Sequence, residues 1–263
     1  MVALSKIIQI SVKAARAAGE VIRESEPSGI TIKSPSDYIT ETDVKCQDMI
    51  KNIILQEFPD HNFLAEEDGG SFEPKNDLWI IDPLDGTTNF IHGLKHSAVS
   101  IGFYTEGDIQ AGVIYDPYSD EFFHAFKGGG SFLNGSKIQV SSPKVISQCL
   151  IATGMPFRRP CKRDKYFTCL SEILASSSGI RRMGSAALDL AYVAAGRFDG
   201  FFEGWLSPWD MAAGVVIAKE AGAAVSDFRG EGGFLNNGCI ICAQPAVFGD
   251  MFRIINKHLK DEQ

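Results

Sequence analysis

An apolar run that ends directly in two acidic residues is the feature that most limits how this chain can fold. Residues 78–81 are typical of a buried strand, and Asp82-Pro-Leu-Asp-Gly-Thr-Thr follows them without a break. Burying a carboxylate without a partner is costly, and this segment contains no lysine or arginine. The carboxylates of Asp82 and Asp85 and the carbonyl group of Leu84 are hard oxygen ligands, which suit Mg²⁺. The segment therefore predicts a divalent-cation site, with an Asx-type turn at each aspartate as the alternative.

Three further acidic segments lie where strands end or helices begin. They are Thr40-Glu41-Thr42-Asp43, Glu66-Glu67-Asp68 and Ser207-Pro208-Trp209-Asp210. Each also has an ordinary structural interpretation. Asp43 and Asp210 can complete capping boxes at helix starts, and Glu67 and Asp68 can form a solvated acidic turn. Four such segments in one chain nevertheless favour a single shared cation site.

These motifs, taken in order, resemble those of the inositol monophosphatase family. Asp82-Pro-Leu-Asp-Gly-Thr-Thr-Asn-Phe90 and Trp209-Asp-Met-Ala-Ala-Gly214 are similar to the two signatures of that family. Supporting similarities are Ala65-Glu66-Glu67, Leu133-Asn134-Gly135 and Gly184-Ser185-Ala186-Ala187. The resemblance covers nearly the whole chain and is greatest to the bacterial inositol-1-monophosphatase branch, through residues 184–197.

The resemblance implies a set of catalytic and metal-binding residues. The metal ligands would be Glu66, Asp82, the carbonyl group of Leu84, Asp85 and Asp210. They would hold two Mg²⁺ ions, with a weaker third ion near Glu66. The catalytic residues would be Glu66, Thr87 and Asp43, with Thr87 orienting the attacking water while Asp43 holds its hydroxyl group. Thr87 as a helix N-cap is the structural interpretation of the same residue.

The resemblance also implies a substrate-binding set. It comprises Asp85, Gly86, Thr87, Gly184, Ser185, Ala186, Glu203 and Asp210. The Glu203 carboxylate can accept hydrogen bonds from two vicinal hydroxyl groups, which suits a polyol, whereas a solvated strand end is the alternative. Ser185 can equally be a helix N-cap. Arg181 and Arg182 could pair with Asp189 or reach a second phosphate group of the substrate.

The resulting functional prediction is a Mg²⁺-dependent phosphatase acting on myo-inositol 1-phosphate or a related small polyol or sugar phosphate. Inhibition by Li⁺ is implied by the resemblance. Two enzymatic alternatives are a fructose-1,6-bisphosphatase and a phosphatase of 3′-phosphoadenosine phosphate or NADP(H). A non-enzymatic alternative is a protein-binding regulator of transcription. Its first candidate contact surface is the basic stretch at residues 158–163, which is otherwise typical of a solvated loop.

Composition limits the partners and the compartment. The net charge of −8 argues against general nucleic-acid binding, and it requires bound cations if the substrate is anionic. The apolar stretches are too short for a membrane span, and the N-terminus has the pattern of an amphipathic helix. Six cysteines without disulfide-like spacing indicate a reducing cytoplasm, and Cys239-Ile-Ile-Cys242 is typical of buried thiols. A homodimer is expected from the family.

The order of elements predicts an α/β chain of the α+β mixed type. Helices are predicted at 2–25, 42–58, 164–177, 185–195, 208–221 and 247–259. Strands are predicted at 30–33, 62–66, 78–82, 97–104, 109–116, 121–127, 149–153, 180–183, 199–203, 224–227 and 239–242. Turns at residues 128–130 and at Asn134-Gly135 indicate an antiparallel region. With the resemblance, this pattern implies the layered αβαβα sandwich of the Mg²⁺-dependent, Li⁺-sensitive sugar phosphatases. Residues 1–263 would form one catalytic unit, in which half 1–142 carries most metal ligands and half 143–263 carries Asp210 and the substrate contacts.

Overall fold

The helices and strands of the chain are taken from a computed structural model that describes residues 2–34, 37–157 and 159–262. Arg158, the first residue of the basic stretch, lies outside these ranges. The helices are α1 (Val2–Glu24), α2 (Glu41–Leu55), α3 (Thr87–Ile91), α4 (Arg163–Ser176), α5 (Ala186–Ala194), α6 (Pro208–Glu220), α7 (Phe234–Asn237) and α8 (Pro245–Leu259). The strands are β1 (Thr31–Ser34), β2 (Asp37–Ile39), β3 (Asn62–Ala65), β4 (Leu78–Asp85), β5 (Ala98–Thr105), β6 (Asp108–Asp116), β7 (Glu121–Phe126), β8 (Gly130–Leu133), β9 (Ser136–Ile138), β10 (Leu150–Thr153), β11 (Gly179–Arg181), β12 (Gly200–Glu203), β13 (Ala224–Ser226) and β14 (Ile240–Ala243).

Two sheets of different topology organise these elements. A seven-stranded sheet has the order β3-β4-β5-β6-β7-β8-β9, in which β3 and β4 are parallel and all other neighbours are antiparallel. A five-stranded sheet has the order β11-β10-β12-β14-β13, in which β10 is parallel to both of its neighbours. Strands β1 and β2 form a separate hairpin. The division predicted at residue 142 falls between the sheets, and the expectation that both halves form one catalytic unit remains a prediction.

Three apolar cores stack the helices and sheets into five layers. The first core joins α1 and α2 to one face of the seven-stranded sheet. The second joins α5 and α6 to the facing sides of both sheets, and the third joins α4 and α8 to the outer face of the five-stranded sheet. The resulting order of layers is α, β, α, β, α, which confirms the predicted sandwich. None of the helices in the described ranges has both the length and the apolar composition needed to cross a membrane.

Helix α6 lies unusually close to the sheet beneath it because two facing strands carry glycine. A Cβ atom at Gly102 of β5 would lie 2.8 Å from the Cβ atom of Ala212, and one at Gly112 of β6 would lie 2.7 Å from the carbonyl oxygen of Ala213. Interiors are packed too densely to absorb such overlaps. This close approach fixes where the first residues of α6 lie relative to the ends of β4 and β5.

The predicted elements are all present, and their ends differ from the predicted ones by at most three residues. The elements missed are β2, β8, β9, α3 and α7, each of five residues or fewer. Such short elements give no measurable periodicity, so only their turns leave a signal. That signal was correct at Asn134-Gly135, which joins β8 to β9 with positive φ angles of 48° and 78°.

Candidate active site

A cavity of about 530 Å³ opens where the ends of both sheets meet the first residues of α3, α5 and α6. Most of the predicted site residues line it. They are Glu66, Asp82, Leu84, Asp85, Gly86, Thr87, Gly184, Ser185, Ala186, Glu203 and Asp210. Asp43 does not line the cavity and lies behind Thr87. The structure thus brings the predicted residues together, and their functional roles remain predictions.

A bulge in β4 aims two carboxylates at the same point. Residues three apart in a regular strand point to opposite faces of the sheet. In β4, however, Asp82 pairs with Ser100 and Asp85 pairs with Ala98, so that one extra residue is accommodated between the two aspartates. The predicted Asx-type turn is also present at Asp82, whose Oδ1 accepts a hydrogen bond of 3.0 Å from the amide of Leu84. The turn and the convergence of the carboxylates are therefore compatible.

Glu66 reaches the same point from the neighbouring strand. Strand β3 is parallel to β4, and Ala65 pairs with Ile81. The next residue of each segment, Glu66 and Asp82, therefore lies at the same edge of the sheet. After burial, the charge of Glu66 is the largest cause that raises the pKa of Asp82. Lys33 of β1 lies 3.6 Å from Glu66 Oε1. This partner was missed from the sequence, because a hairpin far along the chain supplies it.

Of the two acids after Glu66, only Asp68 has the solvent-exposed environment that was predicted. Asp68 does accept a hydrogen bond from Gln47 Nε2 at 3.0 Å and is half exposed. The prediction was wrong for Glu67, whose side chain is only 4% exposed and forms an ion pair of 2.5 Å with Lys33. Because Lys33 covers this carboxylate, Glu67 acts as an anchor for the β1–β2 hairpin.

Asp210 enters the cavity from the start of α6. Its Oδ2 accepts a hydrogen bond of 2.7 Å from the amide of Ser207, which completes the predicted capping box. The hydroxyl group of Ser100 on β5 donates to the carbonyl oxygen of Trp209 at 3.3 Å and ties this helix start to the seven-stranded sheet. The capping role and a role in the site are therefore both available to Asp210.

Asp82, Asp85 and Asp210 each offer a carboxylate oxygen within 4.8 Å of the other two. Burial raises the pKa of Asp82 and of Asp210 well above the usual range, and the neighbouring carboxylates raise both further. Burial likewise raises the pKa of Glu66 to about 7 and that of Asp85 to about 6. Such a concentration of like charge among hard oxygen donors fits a bound divalent cation, which would relieve the repulsion.

Thr87 and Asp43 form a hydrogen-bonded pair at the side of this cluster. The Thr87 hydroxyl group lies 3.1 Å from Asp43 Oδ1 and 3.1 Å from the carbonyl oxygen of Leu84. Because a hydroxyl group has one proton, it donates to one of these acceptors and keeps its lone pairs for another partner. Asp43 Oδ2 accepts from the amide of Thr40 at 2.8 Å in the capping box of α2. The alternative role of Thr87 as an N-cap was wrong, since Gly86 is the N-cap of α3.

The start of α5 is attached directly to Asp85. The Ser185 hydroxyl group donates to Asp85 Oδ2 at 2.6 Å, and the amide of Ala187 donates to the same oxygen at 2.7 Å. Ser185 is also the N-cap, since its Oγ accepts from the amide of Leu188. Asn89 strengthens this junction by donating to the carbonyl oxygen of Met183 at 3.0 Å. The backbone at residues 184–186 is thereby held beside the acidic cluster.

Glu203 ends β12 on the wall of the cavity, where it faces a glycine. A Cβ atom at Gly154 would lie 1.6 Å from Glu203 Oε1, so only glycine leaves room for this carboxylate. Sequence reasoning missed Gly154. Its position directly after β10, beside β12 in the sheet, becomes evident only from the strand pairing.

Aromatic and basic side chains form the mouth of the cavity. Several of them were not expected from the sequence: Lys33, Tyr38, Phe157, Trp205 and Trp209. Arg159 also lines the cavity. The guanidinium group of Arg182 lies over the Phe157 ring, 5.1 Å from its centroid. The sequence left two possibilities for Arg181 and Arg182, a pair with Asp189 or contact with a second phosphate group. Among the described residues, neither arginine forms an ion pair with Asp189.

Comparison with known proteins agrees with the fold and with the resemblance seen in the sequence. The sequence model of the inositol monophosphatase family matches residues 3–260. The chain is 42% identical to the Nus factor SuhB of Pseudomonas aeruginosa, over 97% of this chain and 98% of that protein. It is 39% identical to the inositol-1-monophosphatase of Mesorhizobium japonicum, over 97% of both. The crystal structure of the extragenic suppressor protein SuhB from Bartonella henselae superposes with a TM-score of 0.91 at 40% identity, over 97% of this chain and 100% of that one. This chain belongs to the inositol monophosphatase family.

Proposed function

We propose that the protein is a Mg²⁺-dependent phosphatase that hydrolyses myo-inositol 1-phosphate or a related small polyol or sugar phosphate. The observation that carries the proposal is the convergence of Asp82, Asp85 and Asp210 within 4.8 Å in one cavity. The proposal also includes a cytoplasmic location, a homodimer and inhibition by Li⁺, as the family resemblance implies. The name of the Mesorhizobium japonicum relative supports inositol 1-phosphate as the first substrate to test.

The acidic cluster would hold two or three Mg²⁺ ions. Their ligands would be Glu66, Asp82, the carbonyl group of Leu84, Asp85 and Asp210. When bound, Mg²⁺ supplies Lewis acidity that neutralises the charge of the phosphoryl oxygens and acidifies water. Without the cation the same cluster repels a phosphate, since the chain carries a net charge of −8.

Thr87 and Asp43 are proposed to position the attacking water. The Thr87 hydroxyl group donates towards Asp43 or Leu84, so its lone pairs can accept a hydrogen bond from water in the cavity. Asp43 is buried and anchored by Thr40, which fixes the direction of that hydroxyl group. This arrangement fixes the water at one side of the phosphoryl group and lowers the entropic cost of reaching the transition state.

The remaining predicted residues would bind the substrate. The amides of Gly86 and Thr87 at the start of α3 are proposed to donate to a phosphate oxygen. The backbone at residues 184–186 and the carboxylate of Glu203 are proposed to bind the hydroxyl groups of the polyol. The hydrogen bonds from Ser185 and Ala187 to Asp85 support these roles, because they hold the start of α5 in a fixed position beside the acidic cluster.

A phosphate-release panel tests the proposed function directly. The substrates are myo-inositol 1-phosphate, fructose 1,6-bisphosphate, NADP and 3′-phosphoadenosine phosphate, each with Mg²⁺ and with a chelator. We expect myo-inositol 1-phosphate to be turned over with the highest kcat/KM, and Mg²⁺ to raise that value by about 10³-fold, because metal-ion stabilisation of the transition state amounts to several kcal/mol. Equal activity in the chelator would contradict the proposal, and a preference for NADP or 3′-phosphoadenosine phosphate would replace the substrate class.

Glu203→Gln tests the proposed recognition of the polyol. The amide keeps the size of the side chain but has one accepting oxygen instead of two, so we expect KM for myo-inositol 1-phosphate to rise about tenfold. The Mg²⁺ concentration for half-maximal activity should not change. Gly154→Ala is a companion variant, since its Cβ atom would displace the Glu203 carboxylate and should raise KM in the same way. Unchanged substrate preference in both variants would leave Glu203 with a structural role.

A second candidate function is binding of a protein partner in transcription. It is favoured by the name of the Pseudomonas aeruginosa relative, a Nus factor. In the basic stretch, Lys162 pairs with Glu262 at 2.7 Å, whereas Arg159 lines the cavity. Arg159 is therefore positioned for a substrate at least as well as for a protein surface, and the two functions are not exclusive.

A further inference from the structure

Asp189 is a buried carboxylic acid that the proposed catalytic machinery does not use. It lies in α5, whose other residues are apolar except for Tyr192, and only 1% of Asp189 is exposed. It lines the same cavity as Glu203 and Asp85. Its Oδ1 has no hydrogen-bond partner among the described residues. A buried carboxyl group without a hydrogen-bond partner lowers the stability of the fold, which indicates that Asp189 has a role other than stabilising it.

A purely structural carboxylate would have partners. Asp116, equally buried, accepts hydrogen bonds from the amides of Tyr118 at 2.9 Å and Ser119 at 3.2 Å, and so holds a turn. Asp189 has no comparable acceptor role and no ion pair with Arg182 in the described part of the chain. The interactions that justify a buried acid elsewhere in this fold are missing here.

The position of Asp189 along α5 places it on the same helix face as Ser185, which contacts the acidic cluster. Residues four apart lie on the same face of a helix. Ser185, four residues earlier, contacts Asp85 in the acidic cluster. Asp189 therefore lies one turn further along the same face, and it lines the cavity together with Glu203.

The charges around Asp189 favour a protonated carboxyl group, which can both donate a hydrogen bond to a hydroxyl group and accept one from it. Burial raises its pKa well above the usual range, the carboxylates of Glu203 and Asp85 raise it further, and Arg182 opposes them. A carboxyl group that retains its proton can donate one hydrogen bond and accept another. A polyol hydroxyl group can also donate and accept hydrogen bonds. It could therefore accept a hydrogen bond from Asp189 and donate one to Glu203 at the same time.

We propose that Asp189 binds a hydroxyl group of the polyol in addition to those bound by Glu203, and so determines specificity for polyhydroxylated substrates over simple phosphate esters. The inference rests on the proposed phosphatase function and adds a residue to its recognition site. The class of ligand is a ring or chain that carries at least two hydroxyl groups besides the phosphate ester.

The test compares Asp189→Leu and Asp189→Asn on two substrates in Mg²⁺. One is myo-inositol 1-phosphate, and the other is p-nitrophenyl phosphate, whose leaving group has no other hydroxyl group. For Asp189→Leu we expect kcat/KM on myo-inositol 1-phosphate to fall about 10- to 100-fold, mainly through KM, as for loss of a hydrogen bond to an acid. Turnover of p-nitrophenyl phosphate should be retained. Asp189→Asn keeps hydrogen-bonding capacity and should lie between Asp189→Leu and the wild type.

Thermal unfolding supplies the readout that a structural role would move. Since Asp189→Leu removes a buried polar group without partners, we expect its Tm to be unchanged or higher. Asp116→Asn is the matched control and should leave the preference between the two substrates unchanged. Equal losses on both substrates with a lower Tm would assign Asp189 to the fold, and an unchanged preference in both variants would also overturn the inference. If Asp189→Leu does not fold, Asp189→Asn decides by the same comparison.

The outcomes separate this inference from the proposed function. If the wild-type protein releases no phosphate from myo-inositol 1-phosphate, the proposed substrate class fails and the inference falls with it. If the wild-type protein turns over both substrates and the Asp189 variants do not change their ratio, only the inference fails.

Discussion

Replacing Asp85 by Asn is expected to reduce kcat by about 10³-fold or more while leaving the fold intact, because several kcal/mol of metal-ion stabilisation depend on this proposed ligand. The fold should survive for a specific reason. Ser185 and Ala187 both donate to Asp85 Oδ2, and the single amide oxygen of Asn can accept both hydrogen bonds. The substitution also removes one negative charge beside Asp82 and Asp210.

Phosphate release at saturating Mg²⁺ and thermal unfolding in a chelator are the two measurements for this variant. Asp116→Asn provides the matched control, since Asp116 is also buried and accepts from two amides but does not line the cavity. A wild-type kcat for Asp85→Asn would exclude Asp85 as a required metal ligand. The variant also separates the two candidate functions, because a protein partner that binds the outer surface should be retained when turnover is lost.

Mg²⁺ is expected to stabilise the protein strongly, because the carboxylates that repel each other in its absence would share the cation. At a Mg²⁺ concentration about 100 times Kd, a ligand that binds only the folded state adds about 2.7 kcal/mol to the free energy of unfolding. For a chain of this size each kcal/mol raises Tm by about 2–4 °C, so a rise of about 5–10 °C is expected. Thermal unfolding in a chelator and in Mg²⁺ measures the difference.

Asp82→Asn should abolish that rise in Tm and leave the stability in the chelator equal to or higher than that of the wild type. Asp82 is crowded by three other acids, since its pKa is raised by burial and then by Glu66, Asp85 and Asp210. Its amide replacement loses a proposed ligand and also the repulsion, so the variant in chelator should be at least as stable as the wild type. A full Mg²⁺-dependent rise in Asp82→Asn, or a large loss of stability in chelator, would contradict the proposed metal site.

Local signals in the sequence predicted most of the elements and several of their contacts. The capping boxes at Thr40–Asp43 and Ser207–Asp210 were expected and are present, because such boxes involve only neighbouring residues. The hairpin at Asn134-Gly135 was predicted for the same reason. The predicted elements end within three residues of the observed ones, since their apolar periodicity extends over whole turns or strands.

Errors arose where a contact spans the chain. Glu67 was expected in solvent, but Lys33 of the β1–β2 hairpin covers it. Proximity in sequence made a pair of Arg181 or Arg182 with Asp189 one of two possibilities, yet Arg182 lies over the ring of Phe157. Proximity in sequence does not decide the direction of a long side chain, whose rotamer depends on distant neighbours.

By itself, the sequence determined the family, the order of the elements and the acids that are candidates for a metal site, because these depend on motifs and on local periodicity. Only the tertiary structure decided that the acids meet. The bulge in β4 turns Asp82 and Asp85 to one side, and the close approach of α6 places Asp210 beside them. It also placed Gly154 and Asp189 in the cavity wall with Glu203. The physical reason is that pairing register and interlayer packing depend on the whole assembled chain, and no short segment encodes them.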